Sequence, residues 1–242
     1  MIAPMGGDAS GLTRAEAASL LGWWLEAGVD VAVAEEPRNW LARSSAPAPG
    51  PVEESPPASA PPPPESLDAF HAHLRQASDL PLFRSGAARA LPHGPAEAEV
   101  MLVSDLPGRE CAAEGRPIGG EAWALTVRML AAIGFTPEQA YVASLACFPA
   151  PGSRLDDRDL ARCAADMRHH IALAKPKRLL LLGDGPAKAL VGQPLLQARG
   201  RVHRIDGVPA VATLHPRQLL QRPGDKSHAW RDLLLLMSEE VS

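Results

Sequence analysis

The segment that decides the fold reads Thr213-Leu214-His215-Pro216-Arg217-Gln218-Leu219-Leu220. It begins where an apolar run over residues 208–213 ends, and that run predicts a buried strand. His215 therefore lies in the loop after a strand, where open α/β sheets bind their ligands. A histidine there can stabilise negative charge on a leaving group, although a histidine taken alone is more often an ordinary loop residue.

From residue 67 onward, predicted strands alternate with predicted helices. The strands cover residues 99–104, 141–146, 178–182 and 208–213, and the helices cover 67–76, 123–133, 156–174, a segment from about 186, and 226–237. This alternation predicts the α/β class, as a three-layer α/β/α sandwich around a central, mainly parallel, four-stranded sheet.

Two other features follow predicted strands. Asp105 comes after an apolar strand and precedes Pro107 and Gly108, so its carboxylate faces the cleft and can position or deprotonate a water. Alone, it would more often be a turn residue. Gly183-Asp184-Gly185 resembles part of a dinucleotide-binding loop, but Lys188 stands where that fingerprint needs a third glycine. A simple strand–turn–helix junction is therefore favoured.

The chain before the main domain divides into two parts. Residues 1–43 carry a capping-box pattern at Thr13 and Glu16 and three of the five tryptophans. They predict a helical segment that docks on the main domain or on a protein partner. Residues 44–66 contain nine prolines in 23 residues, which predicts an extended, disordered linker. Residues 67–242 form the main domain.

Composition bounds the environment of the protein. The 242 residues are 46% hydrophobic, yet no apolar run approaches the roughly 18 residues of a membrane span. The N-terminus lacks the pattern of a secretory signal. Three scattered cysteines do not form a disulfide framework, so we expect a reducing, cytoplasmic location. We also expect a monomer.

Charge is distributed unevenly along the chain. Residues 1–66 contain three arginines and nine acidic residues, a net charge of −6, so the remainder of this chain of net charge −4 carries +2. Between residues 199 and 231, seven Lys or Arg stand against two Asp. This strip suits a polyanion such as DNA, although a solvated surface gives the same pattern.

Five ordered blocks of the chain resemble the family-four (iron–sulfur) uracil-DNA glycosylases. The resemblance runs from about residue 70 to 235, over two-thirds of the chain. The blocks are residues 103–110 with 115–122, residues 141–144, residues 147–154, residues 199–203 with 207–209, and residues 215–233.

The resemblance implies excision of a base from DNA. In such enzymes the target nucleotide is flipped out of the stack, and its glycosidic bond breaks through a cationic sugar intermediate. Asp105 takes the position of the acidic residue that activates water, and His215 that of the histidine that stabilises the departing uracil anion. The residues implied to line the base pocket are Leu106, Pro107, Gly108, Ile118 and Ser144.

Three of these positions depart from the family pattern. Asp105 replaces the usual Glu and is one methylene shorter. Ile118 replaces a Phe that stacks on uracil, and Ser144 (or Ala143, in a stretch one residue shorter) replaces the Asn that reads the base. A serine lacks the paired donor and acceptor of an amide. These changes bear on the geometry of water attack and on uracil selectivity.

The resemblance also implies four thiolate positions for an iron–sulfur cluster. Cys147 and Cys163 match two of them, whereas Ala77 and Leu80 stand at the other two, and Cys111 has no counterpart. Two thiolates do not hold a cubane cluster. From the sequence we therefore expect no cluster, no other cofactor and no metal site.

DNA is the partner that the resemblance implies. Leu219 or Leu220 is expected to act as the wedge that fills the gap left by a flipped base. Each could equally be a core leucine beneath the loop. The residues expected to contact DNA are Arg154, Arg217, Arg222 and Lys226, through phosphates, and Leu219 or Leu220, as the wedge.

Three functions stand as hypotheses. The first is a DNA-repair glycosylase that acts on a deaminated base, uracil in the first place. The second is a superfamily member that binds DNA or a partner and has lost catalysis, which the changed pocket positions motivate. The third is a nucleotide-binding protein, which only Gly183-Asp184-Gly185 motivates.

Overall fold

A computed structural model describes residues 64–149 and 155–238, together with residues 13, 18 and 19. Its strands are β1 (Val100–Ser104), β2 (Ala140–Ser144), β3 (Leu179–Leu182), β4 (Val202–Ile205) and β5 (Val208–Thr213). Its main helices are α1 (Leu67–Gln76), α2 (Arg109–Glu114), α3 (Gly120–Ala132), α4 (Asp157–Ala174), α5 (Asp184–Pro186), α6 (Leu195–Ala198), α7 (Pro216–Gln221) and α8 (Lys226–Ser238). A π-helix (Ala187–Val191) continues α5, and 3₁₀ turns occupy Pro137–Gln139 and Pro223–Asp225.

The strands form one sheet in the order β2-β1-β3-β5-β4. β1 pairs in parallel with β2 and β3, and β3 pairs in parallel with β5. Every residue of β1, β2 and β3 is buried. Strands covered on both faces have continuous apolar sequences for this reason. The predicted α/β class with a mainly parallel sheet is confirmed.

The strand count differs from the prediction, since the sheet has five strands and not four. The additional strand, β4, lies at the edge of the sheet and pairs antiparallel with β5. Its first three residues are exposed or half-buried, so it lacks the apolar run that marks the central strands. Asp206 and Gly207, at φ of 50° and 89°, form the tight turn between β4 and β5. An Asp-Gly pair is a recognised signal for such a hairpin.

Helices cover both faces of the sheet, which confirms the three layers. α4 packs on one face of the sheet, and α3 and α8 pack on the other. Buried side chains on the first face include Cys163, Met167 and Ile171 against Met101 and Leu179. Those on the second face include Ala122, Leu130, Leu233 and Leu236 against Leu102 and Leu180.

A chain of hydrogen bonds ties α1 to this body. The hydroxyl of Tyr141 lies 2.5 Å from Nε2 of His71 and 2.6 Å from Nε2 of His170. Burial, with His71 and His169 nearby, lowers the pKa of His170 to about 3, so its imidazole is neutral in this contact. α1 is therefore attached through polar as well as apolar contacts.

Several predictions concern residues that the structure does not describe. The N-terminal segment and most of the proline-rich linker are among them, as is Arg154. Among the described residues, no helix is both long enough and apolar enough to cross a membrane.

Candidate active site

Asp105 and His215 meet at the carboxyl edge of the sheet. Asp105 follows β1, His215 lies two residues beyond β5, and Gly183 follows β3, the strand between those two. A Cβ built at Gly183 would lie 3.1 Å from Oδ2 of Asp105 and 3.6 Å from Cβ of His215. Gly183 has a φ of 106°, which few other residues adopt. The two predicted catalytic side chains are thus brought together across one glycine.

The Asp105 carboxylate is fixed by its own loop. Its Oδ1 accepts a hydrogen bond from the backbone N–H of Leu106 at 2.8 Å. A Cβ at Gly185 would lie 2.5 Å from this same oxygen, so the backbone after β3 presses against the carboxylate. Oδ2 accepts no hydrogen bond from the described residues and is the oxygen available to a water.

His215 is both the N-cap of α7 and a buried imidazole. Its Nδ1 accepts a hydrogen bond from the backbone N–H of Arg217 at 3.1 Å, and its Nε2 lies 2.9 Å from Oγ of Ser104. A backbone N–H only donates, so the neutral ring carries its hydrogen on Nε2 and donates it to Ser104. Burial, assisted by the Arg217 cation, lowers the pKa of His215 to about 3. The imidazole is therefore uncharged at neutral pH.

Ser104 is a site residue that the sequence reasoning missed. It is 1% exposed and ends the otherwise apolar β1, directly before Asp105. A lone hydroxyl at the end of a buried apolar strand was the available signal. Its partner His215 is 111 residues away, which no spacing rule connects.

Arg217 links the two loops that carry the predicted catalytic residues. Its Nη2 donates to the carbonyl oxygen of Leu106 at 3.0 Å, and its Nε lies 3.5 Å from Nδ1 of His215. A Cβ at Gly108 would lie 3.0 Å from Nη1 of this guanidinium. The side chain predicted to hold a phosphate therefore also bridges the loop after β1 and the loop after β5.

The predicted pocket residues are mostly buried. Pro107 is buried, and Ile118 is fully buried in the apolar cluster beneath α3. Ser144 pairs in register with Ser104, and its hydroxyl donates to the carbonyl of Ala146 at 2.7 Å. The Ser144 hydrogen is thus engaged, and only its oxygen lone pairs are left to meet a base.

The predicted DNA-contact residues divide into exposed and buried groups. Arg217, Arg222 and Lys226 are exposed. Leu219 is 1% exposed and belongs to the core, which was the alternative that the sequence left open for it. Leu220 is half-buried and is the more accessible of the two leucines.

Three of the family's four cluster positions line one cavity together with Asp166 and His170: these are Leu80, Cys147 and Cys163. Burial raises the pKa of Cys147 to about 11 and that of Cys163 to about 12, so both are thiols at neutral pH. Among the described residues, no group of three or more His, Cys, Asp or Glu could hold a metal ion. These side chains do not fit a four-thiolate cluster.

Relatives of this chain are enzymes named Type-4 uracil-DNA glycosylase. That of Pyrobaculum aerophilum is 25% identical over 70% of this chain and 92% of its own length. That of Archaeoglobus fulgidus is 24% identical over 66% and 85%, and that of Thermotoga maritima is 23% identical over 71% and 90%. Each is thus matched along most of its length.

This similarity overturns the prediction that the chain has no cofactor. The prediction rested on the missing thiolates at Ala77 and Leu80, whereas the relatives are of the same type as the iron–sulfur enzymes that the sequence resembles. The absence of a cofactor therefore does not follow from the two missing thiolates. The iron content of anaerobically purified protein is the measurement that assigns the cofactor.

The family model provides the broader comparison. The model of the uracil DNA glycosylase superfamily matches residues 91–234, more than half of the chain. The matched span contains β1 through most of α8, and with them Asp105, Gly183 and His215. This chain belongs to the uracil DNA glycosylase superfamily.

Proposed function

We propose that this protein is a DNA glycosylase that hydrolyses the N-glycosidic bond of a deaminated base, uracil in the first place. The observation that carries the proposal is that Asp105 and His215 both lie within 4 Å of where a Cβ on Gly183 would be. Hydrolysis of this bond needs one group for the water and another for the leaving base. A carboxylate and a neutral imidazole at one edge of the sheet supply both.

Asp105 is the group for the water. With Oδ1 held by the N–H of Leu106, the carboxylate has a fixed orientation and offers Oδ2 to a water. The same negative charge favours the cationic sugar that forms when the base departs. Its side chain is one methylene shorter than the usual Glu, and the close approach of the backbone at Gly185 restricts where its Oδ1 can lie.

His215 is the group for the base. The departing base carries negative charge, and an N–H donor stabilises that charge without giving up its proton. A buried imidazole with a pKa of about 3 stays neutral across the range in which DNA is repaired, so it acts as a hydrogen-bond donor and not as an acid. Superfamily membership supports the same role.

The exposed cations around α7 orient the DNA. Arg222 and Lys226 flank the loop that follows His215, where their side chains can neutralise phosphates. Leu220 is the candidate wedge that would fill the gap left in the base stack by a flipped base. Ser144 offers the base pocket one acceptor oxygen, and Ile118, fully buried in the apolar cluster, supports the pocket from the core.

A cleavage assay tests this function. Oligonucleotides with a single uracil, hypoxanthine or xanthine are incubated with excess protein at low salt, and abasic product is measured by alkaline cleavage. We expect product with uracil and a loss of at least 100-fold in Asp105→Asn and His215→Ala. Lys177→Ala, an ion-paired residue just before β3 at the opposite edge of the sheet, is the control. No product from any substrate, with DNA binding retained, would instead support the catalytically impaired alternative.

A further inference from the structure

Both ring nitrogens of His215 are already engaged. Nδ1 accepts from the backbone N–H of Arg217, and Nε2–H donates to Oγ of Ser104 at 2.9 Å. A base that received a hydrogen bond directly from Nε2 would have to take the place of this hydroxyl. Ser104 is 1% exposed, and β1 pairs with a strand on each side, so the backbone of Ser104 is held in place. The contact between His215 and a leaving base is therefore indirect in this geometry.

The hydroxyl hydrogen of Ser104 is a hydrogen-bond donor that is still available. Its oxygen accepts from Nε2–H, and no acceptor among the described residues takes its hydrogen. Ser104 pairs in register with Ser144, so the two side chains leave neighbouring parallel strands on the same face of the sheet. The adjacent residue is Asp105. The unengaged donor thus belongs to the residue directly before Asp105 and lies in register with Ser144, which is predicted to line the base pocket.

We propose that Ser104 is a catalytic residue whose hydroxyl donates the hydrogen bond to the leaving base, while His215 donates to Ser104 from behind. This inference rests on the proposed glycosylase function. No proton is transferred in this step. The electron pair of the glycosidic bond goes to the base, and the developing anion accepts a hydrogen bond from the Ser104 hydroxyl. Successive hydrogen bonds polarise one another, so the Nε2–H of His215 makes the hydroxyl a stronger donor.

A purely structural role for Ser104 makes a different forecast. If the hydroxyl only satisfied the buried imidazole, its removal would weaken folding and would lower excision of every base by the same factor. A hydroxyl that stabilises the leaving anion matters most when the base is a poor leaving group. The dependence on the leaving group therefore separates the two roles.

The activity test compares Ser104→Ala with wild type on uracil and 5-fluorouracil, under single-turnover conditions. The fluorine makes the departing anion more stable, so its departure depends less on a hydrogen bond from the protein. We expect Ser104→Ala to slow uracil excision at least tenfold and 5-fluorouracil excision about threefold or less. Thr126→Val is the matched control, because it removes another buried hydroxyl whose bond stays within α3, to the carbonyl of Ala122. Its rates should equal those of wild type on both bases.

The outcomes separate the two proposals. If wild type excises both bases and Ser104→Ala does so at the same rates, the role of Ser104 is overturned and the proposed function stands. The same holds if Ser104→Ala slows excision of both bases by the same factor. No excision by wild type overturns the proposed function and this role with it.

Nuclear magnetic resonance of ¹⁵N-histidine-labelled protein adds a readout that does not depend on activity. In wild type, His215 should be neutral with its hydrogen on Nε2, and this hydrogen should exchange slowly with water. In Ser104→Ala the exchange should be faster, because the acceptor is gone. A hydrogen found on Nδ1 of His215 in wild type overturns the proposal even if Ser104→Ala fails to fold.

Discussion

Gly185 lies so close to Asp105 that a Cβ at Gly185 would be 2.5 Å from Oδ1 of the carboxylate. The same oxygen accepts the hydrogen bond from the N–H of Leu106 at 2.8 Å. A side chain at Gly185 would push the carboxylate away from that N–H. The backbone after β3 thus restricts the position of the Asp105 carboxylate, the candidate group for positioning water.

Gly185→Ala should therefore slow base excision on the order of 100-fold, since a shift of about 1 Å in a catalytic group has effects of that size. The measurement is the single-turnover rate with saturating protein. Gly224→Ala is the control, because a Cβ there meets nothing within 4 Å. If Gly185→Ala and wild type excise at the same rate, Asp105 does not act from the position described.

Arg217→Lys should slow excision about tenfold and leave the salt dependence of DNA binding unchanged. Lysine keeps the positive charge but cannot donate to Leu106 while its side chain also reaches Nδ1 of His215. A lost hydrogen bond of this kind is worth about 1 kcal/mol or somewhat more. Excision rates and salt titrations of DNA affinity check the two halves separately. A variant that changes affinity alone would place Arg217 on the phosphates only.

The proposed catalytic pair was accessible to sequence reasoning because each member follows an apolar strand. Parallel strands bring such loops to one edge, so Asp105 and His215 were expected near each other. Gly183 and Gly185 were interpreted as a simple strand–turn–helix junction, and α5 does begin there. Their closeness to Asp105 depends on which strands are neighbours, which the local sequence does not encode.

The central strands and long helices were also predictable, since their burial is continuous or periodic. α1 begins and ends where predicted, and Asp156, the predicted start of the helix over residues 156–174, is the N-cap of α4. β4 was missed because an edge strand buries little of its surface, although Asp206 and Gly207 marked its hairpin. The partner of Ser104 could not be predicted, because it is a tertiary contact between side chains.

Asp232→Ala should lower the free energy of unfolding by about 3 kcal/mol. Asp232 is buried, and its Oδ2 accepts from Nε of Arg199 at 2.8 Å and from the hydroxyl of Thr213 at 2.7 Å. Removing it leaves a largely buried cation and a buried hydroxyl without their acceptor, which is strongly destabilising. Urea denaturation measures the change. Asp79→Ala breaks the exposed pair with Arg162 and should cost about 1 kcal/mol or less.

Acid should destabilise the protein through two buried, neutral histidines. Burial lowers the pKa of His215 and of His170 to about 3 in the folded state, from an ordinary value of 6.5. Between these values the unfolded chain binds more protons than the folded one. The free energy of unfolding should therefore fall as pH drops below 6.5, by up to about 1.4 kcal/mol per pH unit for each histidine. Above pH 6.5 neither contributes a slope.

His215→Gln provides the variant for this test. Glutamine does not titrate, so the slope of unfolding free energy between pH 6 and pH 4 should decrease by about 1.4 kcal/mol per pH unit. Urea denaturation across that range gives both slopes. An unchanged slope would mean that His215 takes up a proton in the folded state near its ordinary pKa, and that its imidazole is not held neutral.

Arg222→Ala and Lys226→Ala should each weaken DNA binding about equally for all sequences. Each should reduce the slope of log affinity against log salt by about 1, because one phosphate contact releases about one counterion. Lys177→Ala removes a cation that lies just before β3, at the opposite edge of the sheet, and pairs with Glu99, so its slope should match wild type. If all three variants changed the slope equally, binding would be general attraction to a charged surface. Loss confined to Arg222 and Lys226 would place the duplex across α7, where Leu220 and the Ser104–His215 pair can reach a flipped base.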